Sequence, residues 1–176
     1  FSHWMGGTVF IFELLKKLRK DYSIEIVIQN GNDDVVRKFS SENFIVHNLD
    51  SPSTNVKSFW FSFFRNCTND AKKIQEIVDS NGFDIIISSM FPTNFIASKL
   101  NNVDIYQYCY EPYAPFWDPV HVNNLTLIKR SAAHIFKYMY ARYDVSATRK
   151  ALKVFTLSPE TKQSICLNVW LYEILY

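Results

Sequence analysis

The chain has 176 residues, 48% of them hydrophobic and 20% charged, with a formal net charge of +2. That is enough apolar material for one core, and it excludes a disordered tail, a collagen-like fibre and a small disulfide scaffold. Cys67, Cys109 and Cys166 cannot all pair and show no C-x-x-C or Cys/His spacing, so no structural zinc is expected and the reducing cytosol is the simpler home.

In chain order, the opening Phe1 to Gly7 has no basic stretch followed by an apolar one, so it does not read as a signal peptide but as a cut end. Over residues 8–20, Ile11, Leu14, Leu15 and Leu18 share one face, with Glu13, Lys16, Lys17 and Lys20 on another, which is helical spacing. Residues 23–29 are β-branched and apolar and end at Asn30-Gly31, the pattern of a buried strand and a turn. A second strand is expected over 43–49, after a loop.

The stretch 58–65, Ser-Phe-Trp-Phe-Ser-Phe-Phe-Arg, is either a core helix or an exposed patch, with core favoured because large aromatics are usually buried. Residues 70–80 repeat Ala71, Ile74, Ile77 and Val78 helically and stop at Asn81-Gly82, where glycine can take the left-handed cap conformation. A strand (84–88), a tight turn, a helix beginning at Pro92 and a strand (104–108) follow. Lys153 opens another strand, after which Ser158 and Pro159 read as N-cap and first helical residue.

No apolar run approaches the ~18 residues of a membrane span. Alternating strands and helices of this kind predict an α/β fold, with a parallel sheet covered by helices on both faces and ligands beyond the carboxyl ends of the strands.

Charge is uneven. Residues 125–153 hold seven Lys/Arg against the single acid Asp144, a local +6, while the rest holds 12 cations against 16 acids, or −4. This basic, aromatic segment reads either as a helix whose aromatics pack on its own core or as one lying on an anionic membrane surface, with Lys129, Arg130 and Lys137 facing the lipid. The core reading is the commoner one. Nucleic acid is not expected as a partner, since the pI of about 8.4 is too low for a dedicated binding domain.

Candidate chemistry is sparse. Gly6-Gly7 before a helix lets an anion such as a phosphate approach backbone N–H groups, although neither G-x-G-x-x-G nor a P-loop is present. The loop Tyr108-Cys109-Tyr110-Glu111-Pro112-Tyr113-Ala114-Pro115-Phe116-Trp117-Asp118-Pro119 leaves a strand end and is stiffened by three prolines. Its aromatic rings and carboxylates suit sugars, and they suit a simple covering loop equally well. His3, His47, His121 and His134 lack metal-ligand spacing, no nucleophile elbow is present, and two Asn-x-Thr triplets read as chance without a secretory signal.

In order and spacing, Gly6-Gly7, Phe91-Pro92-Thr93-Asn94, Tyr108-Cys109-Tyr110-Glu111-Pro112 and Ala151-Leu152-Lys153-Val154-Phe155-Thr156-Leu157-Ser158-Pro159-Glu160 resemble the N-terminal half of group 1 (family 4) glycosyltransferases, over roughly residues 2–165. The resemblance implies one Rossmann-like half of a GT-B architecture, a retaining transfer from a nucleotide-sugar donor to a glycan or lipid-linked acceptor, no metal and no other cofactor.

It implies further that Gly6 and Gly7 lie near the donor phosphate and the acceptor hydroxyl. Phe91, Pro92, Thr93, Tyr110, Glu111 and Pro112 line the acceptor cleft. Tyr110 stands where family members often have His, and its phenol is a poorer proton shuttle at neutral pH. The family's first strand and its donor domain fall outside these residues, and the segment 166–176 does not continue the pattern. The chain by itself is therefore expected to transfer no sugar and to lie in the cytoplasm, peripherally at the inner membrane face. The alternative is a non-enzymatic, flavodoxin-like binding module.

Overall fold

A computed structural model describes residues 6–29, 31–52 and 57–175, with side chains through Leu167. The opening residues 1–5 with His3, Asn30 of the expected turn, and Tyr176 lie outside the described residues. The fold is α/β and forms two compact units, Phe1–Ile74 and Gln75–Tyr176.

In the first unit, α1 (Gly6–Leu18) precedes β1 (Glu25–Ile28), α2 (Asp33–Ser41) and β2 (Ile45–Asn48). The two strands pair in parallel, Glu25 opposite Ile45 and Ile28 opposite Asn48, so α2 is the crossover that parallel pairing requires. Ile26 and Ile28 point into a core with Phe12, Val35, Phe39 and Phe44. Phe39 meets Phe12 and Phe44 edge-on, at centroid distances of 5.2 and 6.0 Å, the arrangement that aromatic quadrupoles favour.

The expected loop between β1 and β2 is thus a helix. Asn32 caps it, accepting from the Asp34 N–H at 2.9 Å. Asp33 and Asp34 complement the helix dipole, and Val35 and Phe39 bury one face at a spacing of four.

The aromatic stretch divides between core and surface. In α3 (Lys57–Phe61) and the start of α4 (Phe63–Asn81), Phe59, Trp60 and Phe63 are buried, with Trp60 stacked on Phe63, while Phe61 is 88% exposed. Asp70 of α4 is buried and ties down the carboxyl ends of both strands. It accepts from Gln29 Nε2 at 2.6 Å and from the Ser51 hydroxyl, and Lys73 Nζ donates to the Leu49 carbonyl at 2.9 Å. Gly82 closes α4 at φ +67°, its N–H donating to the Val78 carbonyl, as the Asn81-Gly82 signal predicts.

In the second unit, β3 (Ile85–Ser88), β4 (Asp104–Cys109) and β5 (Lys153–Thr156) form a parallel sheet in that order. Between them run α5 (Thr93–Ala97), α6 (Ala114–Trp117), α7 (Pro119–Asn123) and α8 (Leu127–Lys150), and α9 (Pro159–Leu175) follows. Ser158 caps α9 as expected, accepting from the Thr161 N–H at 3.2 Å, and the helix continues through Cys166 without a break.

Ser88, Gln107 and Cys109 lie in register on one face of this sheet, and Gln107 and Cys109 line a cavity with side chains of α8 and α9. The opposite face carries Ile85, Ile87 and Phe155, all exposed. Among the described residues, α8 and α9 both meet the Gln107 side of this sheet.

Two substitutions test the packing. Phe39→Ala should cost about 3–5 kcal/mol in urea denaturation, since the ring is fully enclosed by the first core. Gly31→Ala should also destabilise, by about 1–3 kcal/mol, because its Cβ would sit 2.8 Å from Ile28 Cγ2 and 3.1 Å from Val36 Cγ2. A neutral result at Gly31 would contradict that turn.

Candidate functional site

The carboxyl ends of β3 and β4 place two loops side by side. After β3, Thr93 Oγ1 accepts from the Ser89 N–H at 3.2 Å and donates to the Met90 carbonyl at 2.7 Å. The turn is thereby closed by its own side chain, and the Phe91-Pro92 bond within it is cis. After β4, Cys109 Sγ donates to the Glu111 carbonyl at 3.2 Å and Pro115 lies in the first turn of α6. Phe91, Tyr113 and Phe116 join the loops through ring contacts of 4.8 to 5.8 Å.

Asp144 of α8 holds this assembly together. Its buried carboxylate accepts from Asn94 Nδ2 and from Trp117 Nε1, both at 2.7 Å. Asn94 in turn accepts from the Phe95 N–H at 2.8 Å and lies 3.3 Å from the Thr148 hydroxyl. One side chain therefore fixes α5, the end of α6 and α8 together. Burial pushes the Asp144 carboxyl above its ordinary range, and the two donated hydrogen bonds pull it partly back.

The same burial governs the neighbours. The Cys109 thiol is pushed up to about 12 by burial, then by the charges of Asp144 and Glu111. The Tyr113 phenol also rises to about 12, through burial and then Asp144. Tyr110 is raised by burial first and by Glu111 next. Burial thus favours the protonated form of all three at neutral pH.

Beside Asp144 lies a cavity of about 30 Å³, walled by Phe91, Gln107, Cys109, Tyr113 and Trp117. Gln107 is buried and its Oε1 finds no donor among the described residues. The space admits a water or two and is too small for a sugar ring.

The residues singled out in the sequence take different places. Phe91 and Pro92 are buried beneath the loops, Pro112 joins the cavity wall, Tyr110 is half-buried, and Glu111 is exposed. Thr93 is occupied by its own turn. Gly6 and Gly7 open α1 in the first unit, with no acidic side chain in its first turn.

The three cations separate. Lys129 is exposed, but Arg130 turns back to the Asn123 and Leu125 carbonyls, and Lys137 Nζ lies 4.9 Å from the centroid of the Trp117 ring. That packing lowers the Lys137 pKa through burial. Asp144 and Asn94 were not legible as site residues. A signal was nevertheless present: a lone acid in a basic segment, three and four residues from Ala141 and Tyr140 on the buried side of a helix.

No family model, no curated protein and no solved structure matches this chain. Among the described residues, no group of three or more His, Cys, Asp or Glu side chains could hold a metal ion, and no helix is long and apolar enough to cross a membrane.

Trp117→Phe should leave one buried carboxylate oxygen without a donor and cost about 1–3 kcal/mol at pH 7. Losing a donor raises the folded-state pKa of Asp144 further, so the folded variant takes up its proton at a higher pH than the folded parent does. The deficit is therefore largest at neutral pH and shrinks as pH falls toward 4. Urea midpoints at the two pH values check this, and a pH-independent deficit would show that the indole does not serve the carboxylate. For the thiols, a disulfide-exchange reagent should react with exposed Cys166 in the native chain and reach Cys67 and Cys109 only after unfolding.

Proposed function

We propose that this chain is the acceptor-side part of a retaining glycosyltransferase with Rossmann-like domains, moving a sugar from a nucleotide-sugar donor to a glycan or lipid-linked acceptor. One observation carries the reading. At the carboxyl end of a parallel strand, a proline-stiffened aromatic loop presents an exposed carboxylate, Glu111, and a half-buried neutral phenol, Tyr110, beside the loop that follows the neighbouring strand. Ligands of open parallel sheets bind there, and sugars ask for this combination of apolar face and hydrogen-bonding groups.

The order of strands within each unit supports the same class, since sequential strands are parallel neighbours throughout. In this reading the acceptor lies across the outer rim of the two loops, because the cavity beneath them is too small. Glu111 accepts from a sugar hydroxyl, and Tyr110 both donates and accepts. Phe91, Pro92, Thr93 and Pro112 shape the loops from below. An anion such as the donor phosphate would meet the positive end of α1 at Gly6 and Gly7. The resemblance calls for no metal.

The test uses the full-length gene product with radiolabelled nucleotide sugars and glycan or lipid-linked acceptors. Glu111→Gln and Tyr110→Phe should each lower kcat/KM about tenfold, the worth of one hydrogen bond to the acceptor, mainly through a higher acceptor KM and with thermal stability retained. Turnover of no nucleotide sugar, or normal kinetics in both variants, would defeat the reading.

A further inference from the structure

Helix α8 is apolar on two sides. Its inner side, with Ala133, Tyr140, Ala141 and Ala147, is buried in the second unit. Its outer side carries Leu127, Ile128, Ile135, Tyr138 and Met139, which are 77, 84, 59, 69 and 46% exposed. At about 100° per residue these five fall within one arc of about 120°. Two large aliphatic side chains more than three-quarters exposed on the same turn are unusual on a soluble surface. Val120, on the neighbouring α7, is exposed as well.

The charges identify what would cover this stripe. Arg142 and Arg149 lie on the same arc toward the helix C-terminus, and exposed Lys150 lies just beyond its edge. The helix has a single acid, Asp144, which is buried on the opposite side. Within α8 the outer face therefore combines apolar side chains and cations with no acid of its own. Tyr138 on this face has an apolar body and a polar tip.

We infer that the outer face of α8 docks on an anionic lipid surface, with Leu127, Ile128, Ile135, Tyr138 and Met139 inserted below the headgroups and Arg142 and Arg149 among the lipid phosphates. An exposed helix face of this kind suits the deformable headgroup region, where amphipathic helices lie in the plane of the membrane, and anionic headgroups complement the cations. The contact differs from the one the sequence suggests. Arg130 turns to backbone carbonyls and Lys137 packs on Trp117, whereas Arg142 donates to the neighbouring Tyr143 hydroxyl at 2.6 Å and still stands exposed, and the lipid-facing residues are aliphatic and aromatic side chains of the same helix. The inference is independent of the sugar-transfer reading, since either can fail while the other stands.

The experiment is co-sedimentation of the chain with vesicles of phosphatidylcholine mixed with phosphatidylglycerol, and with vesicles of phosphatidylcholine alone. The parent should bind the mixed vesicles, bind the neutral ones weakly, and release in high salt. Ile128→Glu and Tyr138→Glu should each weaken binding at least tenfold, and Arg142→Glu with Arg149→Glu should remove the preference for anionic vesicles. Phe61→Glu, at an exposed apolar position in the other unit, should change nothing. All these side chains are exposed, so unchanged circular dichroism should accompany each variant.

Absence of binding by the parent would overturn the inference. So would binding that Ile128→Glu and Tyr138→Glu leave intact. Sedimentation equilibrium supplies a third outcome: self-association abolished by Ile128→Glu would assign the stripe to a second copy of the chain and also overturn it.

Discussion

The carboxylate of Asp144 is the constraint around which the second unit is arranged. An unpaired charge so deeply buried would be costly, and the structure offsets the cost with two charge-assisted hydrogen bonds from residues 50 and 27 positions away. Because each donor comes from a different element, the bonds fix where α8 crosses the sheet and how the loop after β4 folds back. An apolar residue at this position could bury as much surface without choosing among rotations of α8. The acid adds direction, and it also raises the proton affinity of Cys109 and Tyr113 beside it.

This arrangement decides what chemistry the neighbourhood can perform. The thiol and the phenols stay protonated, and the space among them holds little more than solvent. Under the proposed function, recognition would fall to the outer surface of the two loops, where Glu111 and Tyr110 stand. The buried network acts one step removed from any ligand, as the support that keeps those loops in place.

The sequence makes the strands and the longer helices legible, because their apolar residues repeat with a clear period and end in recognisable caps such as Gly82 and Ser158. It hides α2, whose apolar face is only Val35, Val36 and Phe39 and whose start lies among turn-forming residues. It also cannot divide the aromatic stretch in α3 and α4, where the outward Phe61 and the buried Phe59 differ only in helical phase. Composition marks the segment around α8 as basic, but the inward turn of Lys137 depends on a ring 20 positions earlier. Contacts of that range leave no local pattern. By composition Asp144 is one charge of that segment, although its place between apolar neighbours on one helix face points inward.

The two-sidedness of α8 has a further consequence. A free amphipathic peptide is disordered in water and gives up backbone entropy as it coils on its target. Here the coil was wound when the domain folded, because Tyr140, Ala141 and Ala147 hold the inner side in the core. The outer face is thus presented as a finished, rigid surface, and what meets it settles against it in one orientation set by the sheet behind.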